Sequence, residues 1–171
     1  MDYLKQYSIP FKGMLDGLHE YEFKLGNDFF KRFNESPIQD AEIQAIIQAD
    51  KQGSLMSVEL QIQGSMRTGC DRCLSEIELE LKANYQFVLK RSEGESDDPD
   101  LFFIQPDASE WLIADVLYEY SCLSIPIVKE IDCSSMKNPP CNQEVLQRIQ
   151  KEENNPESNP LWDELRRLNL K

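Results

Sequence analysis

The sequence predicts an α+β fold, an antiparallel β-meander that could close toward a barrel, with helices packed on one side and a short C-terminal helix. Long runs that alternate between apolar and polar residues fill the first half of the chain. The second half instead repeats apolar residues at spacings of three and four, which is the period of a helix. Short turns between the alternating runs favour antiparallel neighbours.

Alternating stretches predict the strands in order. Residues 7–14 and 19–25 form the first two, and residues 43–47 belong to the third, although Ile46 interrupts its alternation. Turn-forming residues at 51–54 separate the third strand from the fourth. The fourth and fifth strands are the clearest, with apolar residues at every second position: Met56, Val58, Leu60 and Ile62, and then Ile77, Leu79, Leu81, Ala83, Tyr85, Phe87 and Leu89.

Three segments carry helix signals. Asn27 or Asp28 could cap a short helix with phenylalanines on one side. Residues 107–110 resemble a capping box, so a second helix is expected over residues 109–123. Asn142 could cap a third helix. The second helix should bury a face with helical spacing, formed by Leu112, Val116, Tyr120 and Leu123.

The chain divides into a main domain and a tail. Residues 1–150 are expected to form a single α+β domain, because 171 residues suit one domain with an appended segment. Residues 151–171 are predicted to be a polar linker followed by a short C-terminal helix, since Asn159-Pro160 is a typical helix start. Trp162 in that helix could dock on the domain itself or on a partner protein.

The charge of the chain constrains its partners. Asp and Glu number 31 against 18 Lys and Arg, which gives a net charge of −13. Such a chain repels phosphate backbones, because nucleic-acid binding depends on Lys and Arg that displace counterions. Extensive RNA contact is therefore disfavoured, and a basic protein partner is favoured. The acidic charge is concentrated in residues 92–100, which hold five acids and no base and should form a solvated loop.

A cytoplasmic location is expected for this chain. No stretch of eighteen apolar residues occurs, so no membrane contact is predicted, and the first residues lack the pattern of a secretory signal. Thiols stay reduced in the cytoplasm. The odd number of cysteines, five, also argues against a framework of disulfides.

Four cysteines form the sharpest motif. Cys70 and Cys73 are three positions apart at a turn between two predicted strands, and Cys133 and Cys141 follow about sixty residues later. Zinc prefers four tetrahedral ligands, and thiolates are among its usual ones. The four thiols are therefore candidate ligands of one structural zinc ion, provided that the segment between the second pair loops out.

Two other interpretations of the cysteines stay open. A reduced, metal-free pair could pack as small hydrophobic side chains. Cys70 and Cys73 could also form a redox-active pair, with Arg72 lowering the thiol pKa. Redox pairs of this spacing usually begin a helix, whereas here a strand is predicted to follow Cys73.

Signals for catalysis are weak. His19 is the only histidine and lies in a strand-like stretch without a nearby nucleophile motif. No glycine-rich phosphate loop occurs, so no small-molecule substrate is indicated. The chain is predicted to be a binding protein rather than an enzyme.

Three blocks of the sequence resemble the large ribosomal RNA subunit accumulation protein family (YceD-like). The first is Cys-Asp-Arg-Cys-Leu at residues 70–74, set between two strands. The second is the predicted helix at 109–123, which runs into Ser-Ile-Pro-Ile at 124–127. The third is Asn-Pro-Leu-Trp-Asp-Glu-Leu at 159–165. Their order matches the family over roughly residues 50–170, and many relatives carry a fuller second cysteine cluster after the proline segment.

The resemblance implies a non-enzymatic ribosome biogenesis factor that supports accumulation or processing of large-subunit (23S) ribosomal RNA. Its partner would be a basic ribosomal protein or a ribosome assembly factor, with limited direct RNA contact. Arg67, Arg72 and Trp162 are the candidate partner-binding residues. The alternatives are a thiol redox protein that uses Cys70 and Cys73, and a zinc-stabilised adaptor unrelated to ribosomes.

Overall fold

The computed structural model describes residues 3–95, 97–133 and 136–154, with side chains described up to residue 151. The chain forms two compact units. The first comprises Met1–Thr68 and Glu78–Lys129, and the second comprises Gly69–Ile77 and Glu130–Lys171. The first unit therefore holds most of the sheet, and the second holds the cysteine turn and the segment that follows residue 129.

Seven strands and three α-helices follow a 3-10 turn at Tyr3–Gln6 in the described residues. In chain order they are β1 (Ser8–Pro10), β2 (Gly17–Leu25), α1 (Asn27–Phe30), β3 (Ala41–Gln52), β4 (Leu55–Gly69), β5 (Glu76–Arg91), β6 (Leu101–Ile104), β7 (Glu110–Leu112), α2 (Ala114–Leu123) and α3 (Gln143–Asn154). No helix in the described ranges is long and apolar enough to cross a membrane.

Five of the strands form one sheet in the order β2-β3-β4-β5-β6. The predicted α+β class is confirmed, and the sheet does not close into a barrel within the described residues. The meander has one exception, because β6 runs parallel to β5, with Val88 opposite Leu101. Both strands therefore run in the same direction at this edge of the sheet.

The second helix begins later than its sequence pattern predicted. Residues 109–112 do not join it, because β7 pairs antiparallel with β1 and places Trp111 opposite Ile9. The helix starts at Ala114. Here a tertiary strand pairing overrides a local capping signal. Leu112 therefore lies outside the helix and is exposed. Leu123, at the end of the helix, is exposed as well, whereas the predicted core positions Val116 and Tyr120 are buried.

One face of the sheet is buried under helices and aromatic side chains. Burial alternates along β3, β4 and β5 as the period of two requires. Phe29 and Phe30 of α1 are fully buried, and the ring of Tyr120 in α2 stacks on Phe87 of β5 at 5.6 Å between centroids. The helices of the first unit therefore lie on one side of its sheet, as predicted.

Asn27 has a different role from the predicted helix cap. The N-cap position of α1 is Gly26, and no side chain caps that helix. Asn27 instead accepts a hydrogen bond from the backbone N–H of Ala41 at 2.8 Å and donates one to Asp40 at 3.1 Å. Its amide thus fixes the start of β3.

Helix α3 has the predicted cap. The Asn142 side chain accepts hydrogen bonds from the backbone N–H groups of Glu144 at 3.1 Å and Val145 at 3.4 Å. The helix continues to Asn154, beyond residue 151 where the polar linker was expected to begin. The predicted C-terminal helix and Trp162 lie outside the described residues.

Candidate functional site

The cysteine turn joins two strands, as predicted. Strand β4 ends at Gly69 and β5 begins at Glu76. The backbone N–H of Cys70 donates to the carbonyl of Ser75 at 2.8 Å, and the N–H of Leu74 donates to the carbonyl of Cys70 at 2.9 Å. The Cys-x-x-Cys segment is therefore a tight turn closed by two backbone hydrogen bonds, and it does not open a helix.

Leu74 adopts the backbone conformation that usually requires glycine. Its φ angle is +61°, in the left-handed region that side chains with a Cβ rarely occupy. Glycine is frequent at this position in zinc knuckles, so leucine here departs from their sequence pattern. In the structure Leu74 nevertheless adopts the left-handed conformation that a glycine would take after the second cysteine. Its side chain is 76% exposed to solvent.

All four candidate cysteines meet in the second unit. The thiol of Cys73 hydrogen-bonds with those of Cys70 and Cys141, and Cys141 also hydrogen-bonds with Cys133. We call these four residues the thiol cluster. Cys70, Cys73 and Ile77 form a small buried core, against which Ile131, Cys141 and Leu146 pack. The fifth cysteine, Cys122, lies on α2 in the first unit.

Two thiols of the cluster differ sharply in acidity. Backbone hydrogen bonds from Ser75 and Asn142 to the sulfur of Cys73 lower its pKa to about 7. The hydrogen bond with Cys133, together with burial, raises the pKa of Cys141 to about 12. A thiolate is the form that binds metals and attacks electrophiles. Cys73 therefore ionises far more readily than Cys141.

The thiol cluster has the donor chemistry of a zinc site without its geometry. Four soft sulfur ligands from two distant segments are gathered in one place, which is the set that structural zinc prefers. Within residues 3–95, 97–133 and 136–151, no group of three or more His, Cys, Asp or Glu side chains is arranged so that it could hold a metal ion. The sulfurs are instead linked one to the next by hydrogen bonds.

The candidate arginines belong to different units. The Arg67 guanidinium lies 3.6 Å from the carboxylate of Asp40 in the first unit, and its side chain is 64% exposed. Arg72 is exposed at the cysteine turn in the second unit. The His19 ring lies 2.9 Å from the backbone carbonyl of Leu15, a contact typical of a structural histidine.

The sheet also has an exposed face, which we call the open face. The open face carries the even-numbered residues of β2, β3 and β5 and the odd-numbered residues of β4, which are in general more exposed than the residues between them. A hydrogen bond of 2.8 Å from the Ser65 hydroxyl to Glu78 shows that β4 and β5 contribute to the same side. A cleft of about 630 Å³ lies on this face, and its lining includes Leu18, Asp50, Glu59, Val88, Asp100 and Leu101.

No local sequence pattern predicts this cleft. The acidic loop at residues 92–100 and the alternating strands are each visible in the sequence, but not their proximity. The pairing of β6 beside β5 brings the end of that loop against the open face, and this pairing has no local sequence signal. One indication of an acidic surface is present in the sequence, because Asp50 and Glu59 are acidic residues at polar positions of β3 and β4.

Together these features define a class: an acidic α+β protein in which a cysteine turn joins two long strands of a helix-covered sheet. The chain belongs to the family described as "Large ribosomal RNA subunit accumulation protein YceD", whose family model matches residues 58–169. That span includes the cysteine turn, β5 and α2, which carry the resemblance seen in the sequence. No curated protein and no solved structure matches the chain significantly.

Proposed function

We propose that this protein is a non-enzymatic, cytoplasmic ribosome biogenesis factor that supports accumulation or processing of 23S ribosomal RNA. The observation that carries the proposal is the family match over residues 58–169, since the family is described by large-subunit ribosomal RNA accumulation. The cysteine turn and the strand after it, which the match includes, have the structure that the sequence blocks predicted. The protein would act by binding during large-subunit assembly.

Several features support binding rather than catalysis. The sole histidine contacts a backbone carbonyl, and the Cys-x-x-Cys turn leads into a strand. Redox pairs of this spacing usually open a helix, whereas Cys73 leads into β5 and receives a backbone hydrogen bond from Asn142, the residue before α3. The lowered pKa of Cys73 favours the thiol redox alternative, but its cause is a pair of backbone hydrogen bonds, which also suit a metal ligand.

A basic protein is the partner that the charge favours. With a net charge of −13, the chain would be attracted to a ribosomal protein or assembly factor rich in Lys and Arg. Direct RNA contact would be confined to basic positions such as Arg72. The role of Arg67 would be weaker, because Asp40 lies beside it. A contribution from Trp162 stays a prediction.

We also propose that the thiol cluster binds one structural zinc ion. Its support is a small buried core that contains Cys70 and Cys73 and against which Cys141 packs, together with the contact of Cys133 with Cys141 and the left-handed residue after Cys73. Cys70, Cys73, Cys133 and Cys141 would supply the four ligands. Bound zinc would fix the cysteine turn to the segment around residues 131–146, within one unit of the protein.

Co-purification tests the partner directly. Tagged protein, captured at low salt from a nuclease-treated lysate of its own cells, is expected to retain basic large-subunit proteins or assembly factors. Rising salt should release them, because charge-driven contacts are screened. A matched bait of equal net charge but unrelated fold serves as the control. Recovery of the same proteins on both baits, or recovery that depends entirely on intact RNA, would contradict a specific protein partner.

A further inference from the structure

The cleft on the open face combines acidic and aliphatic groups. Asp50 of β3 and Glu59 of β4 line it from the strands, and Asp98 and Asp100 line it from the loop before β6. Aliphatic surface comes from Leu18, which is 71% exposed, and from the half-buried Val88 and Leu101, which lie opposite each other. All of these residues belong to the first unit. We call this site the acidic cleft.

The register of the strands explains why these groups share one site. Leu18 pairs with Asp50, and Asp50 pairs with Ser57, so the three form a row across β2, β3 and β4. Glu59 lies two residues along β4 from Ser57 and therefore points to the same side. Leu18 and Asp50 are thus direct neighbours across one strand spacing of about 4.8 Å, and Glu59 lies on the same face in the adjacent row.

The carboxylates of the strands lack cationic partners. Asp50 accepts a hydrogen bond from the Gln52 amide at 2.9 Å, and Glu59 accepts a long one from the Gln61 amide at 3.5 Å. Both partners are neutral. Among the described residues, neither Asp50 nor Glu59 nor Asp100 takes part in an ion pair. Their negative charge is therefore available to a cation that comes from outside the chain.

Arginine and lysine side chains fit such a surface. Each has an aliphatic stem that packs on apolar atoms and a cationic head that stays near water or a carboxylate. Arginine in addition matches a carboxylate with two parallel hydrogen bonds. A phosphate backbone would be repelled by the same carboxylates. The cleft volume of about 630 Å³ is sufficient for a few side chains of an extended segment.

We propose that the acidic cleft receives an extended, arginine- or lysine-rich segment of a basic partner protein. The inference rests on the proposed function, since it assigns the place where the basic partner of that function docks. It goes further in assigning the contact to the acidic cleft, whose lining does not include the residues first considered, Arg67 and Arg72. The segment's aliphatic stems would lie on Leu18 and Leu101, and its cationic heads would contact Asp50, Glu59 and Asp100.

A decapeptide of alternating arginine and glycine provides the probe. Binding to the full chain is measured by fluorescence anisotropy at low salt and mapped by backbone amide shifts in NMR. The expected result is saturable binding with shifts centred on Leu18, Asp50, Glu59 and Leu101. The same peptide with citrulline in place of arginine keeps the shape and loses the charge, so it should not bind.

Paired variants separate the cleft from general charge attraction. The double change Asp50→Asn with Glu59→Gln is expected to weaken binding about fivefold or more. The control, Glu22→Gln with Glu42→Gln, alters the same net charge on exposed positions of β2 and β3 outside the cleft, and it should change affinity less than about twofold. Circular dichroism verifies that both variants fold.

Three outcomes would overturn the proposal: equal weakening by both pairs of changes, amide shifts centred elsewhere, or no binding of the arginine peptide. Any of them leaves the proposed ribosomal role standing if loss of the protein still lowers 23S RNA. Conversely, peptide binding that depends on the acidic cleft, together with a normal 23S RNA level in the deletion strain, would contradict the ribosomal role. The proposal that the cleft binds a basic segment would still stand.

Discussion

Replacing Gly64 by alanine is expected to lower the free energy of unfolding by about 3 kcal/mol. Gly64 lies in β4 opposite Ile43 of β3. A Cβ atom at this position would collide with the backbone carbonyl oxygen of Glu42 and lie 2.8 Å from the Cα of Ile43. Both obstacles are backbone atoms of the neighbouring strand, so no side-chain rotation relieves them. The two strands would have to separate locally.

Thermal unfolding followed by circular dichroism measures the effect of this change. A loss of that size corresponds to a Tm lower by roughly 6–12 °C in a chain of this length. Gly69→Ala is the matched control in the same strand, because a Cβ at Gly69 meets no atom within 4 Å. It should alter stability by less than about 0.5 kcal/mol. Equal Tm values for the Gly64 variant and the unmodified protein would show that β3 and β4 are not paired as described.

Replacing Cys70 by serine is expected to abolish zinc binding and to lower the Tm by about 5 °C or more. The thiol lies in the buried core of the second unit, where it hydrogen-bonds with Cys73. Serine supplies a harder and less readily ionised ligand, so the affinity for zinc falls steeply. Elemental analysis of protein purified without chelators gives the metal content, with about one zinc per chain expected for the unmodified protein.

Cys122→Ser provides the control for the thiol cluster. Cys122 lies on α2 in the first unit and is half-buried, so the change removes one thiol without touching the cluster. Zinc content should stay the same in this variant. The zinc proposal fails if the unmodified protein, loaded with excess zinc and dialysed, retains none and the Cys70 variant melts at the same temperature.

Periodicity was sufficient to predict most of the sheet. The alternation in β3, β4 and β5 is strong because each strand has one buried and one exposed face. The structure has a strand at each predicted position, although β3 and β4 continue five to seven residues beyond the predicted ends. The position of the cysteine turn followed from them. The proximity of the thiols depends on a segment about sixty residues away, and zinc binding stays a prediction.

Predictions from local sequence patterns were wrong where pairing between distant segments determines the structure. Residues 110–112 carry a helix-start pattern, yet they pair with β1 because the two segments complete each other's backbone hydrogen bonds. Asn27 resembles a cap, yet its amide satisfies the backbone of Ala41. The parallel pairing of β5 with β6 likewise created the acidic cleft, whose parts are separated by up to about eighty residues. Local patterns contain no information on such pairings.

The central claim is that the protein is needed for large-subunit ribosomal RNA. Its most direct test is the ratio of 23S to 16S RNA in a strain that lacks the protein, compared with the same strain that carries the full-length gene on a plasmid. The account predicts a lower ratio in the deletion strain and its restoration by the plasmid. A ratio that stays equal in the deletion, the complemented and the parental strains would contradict it.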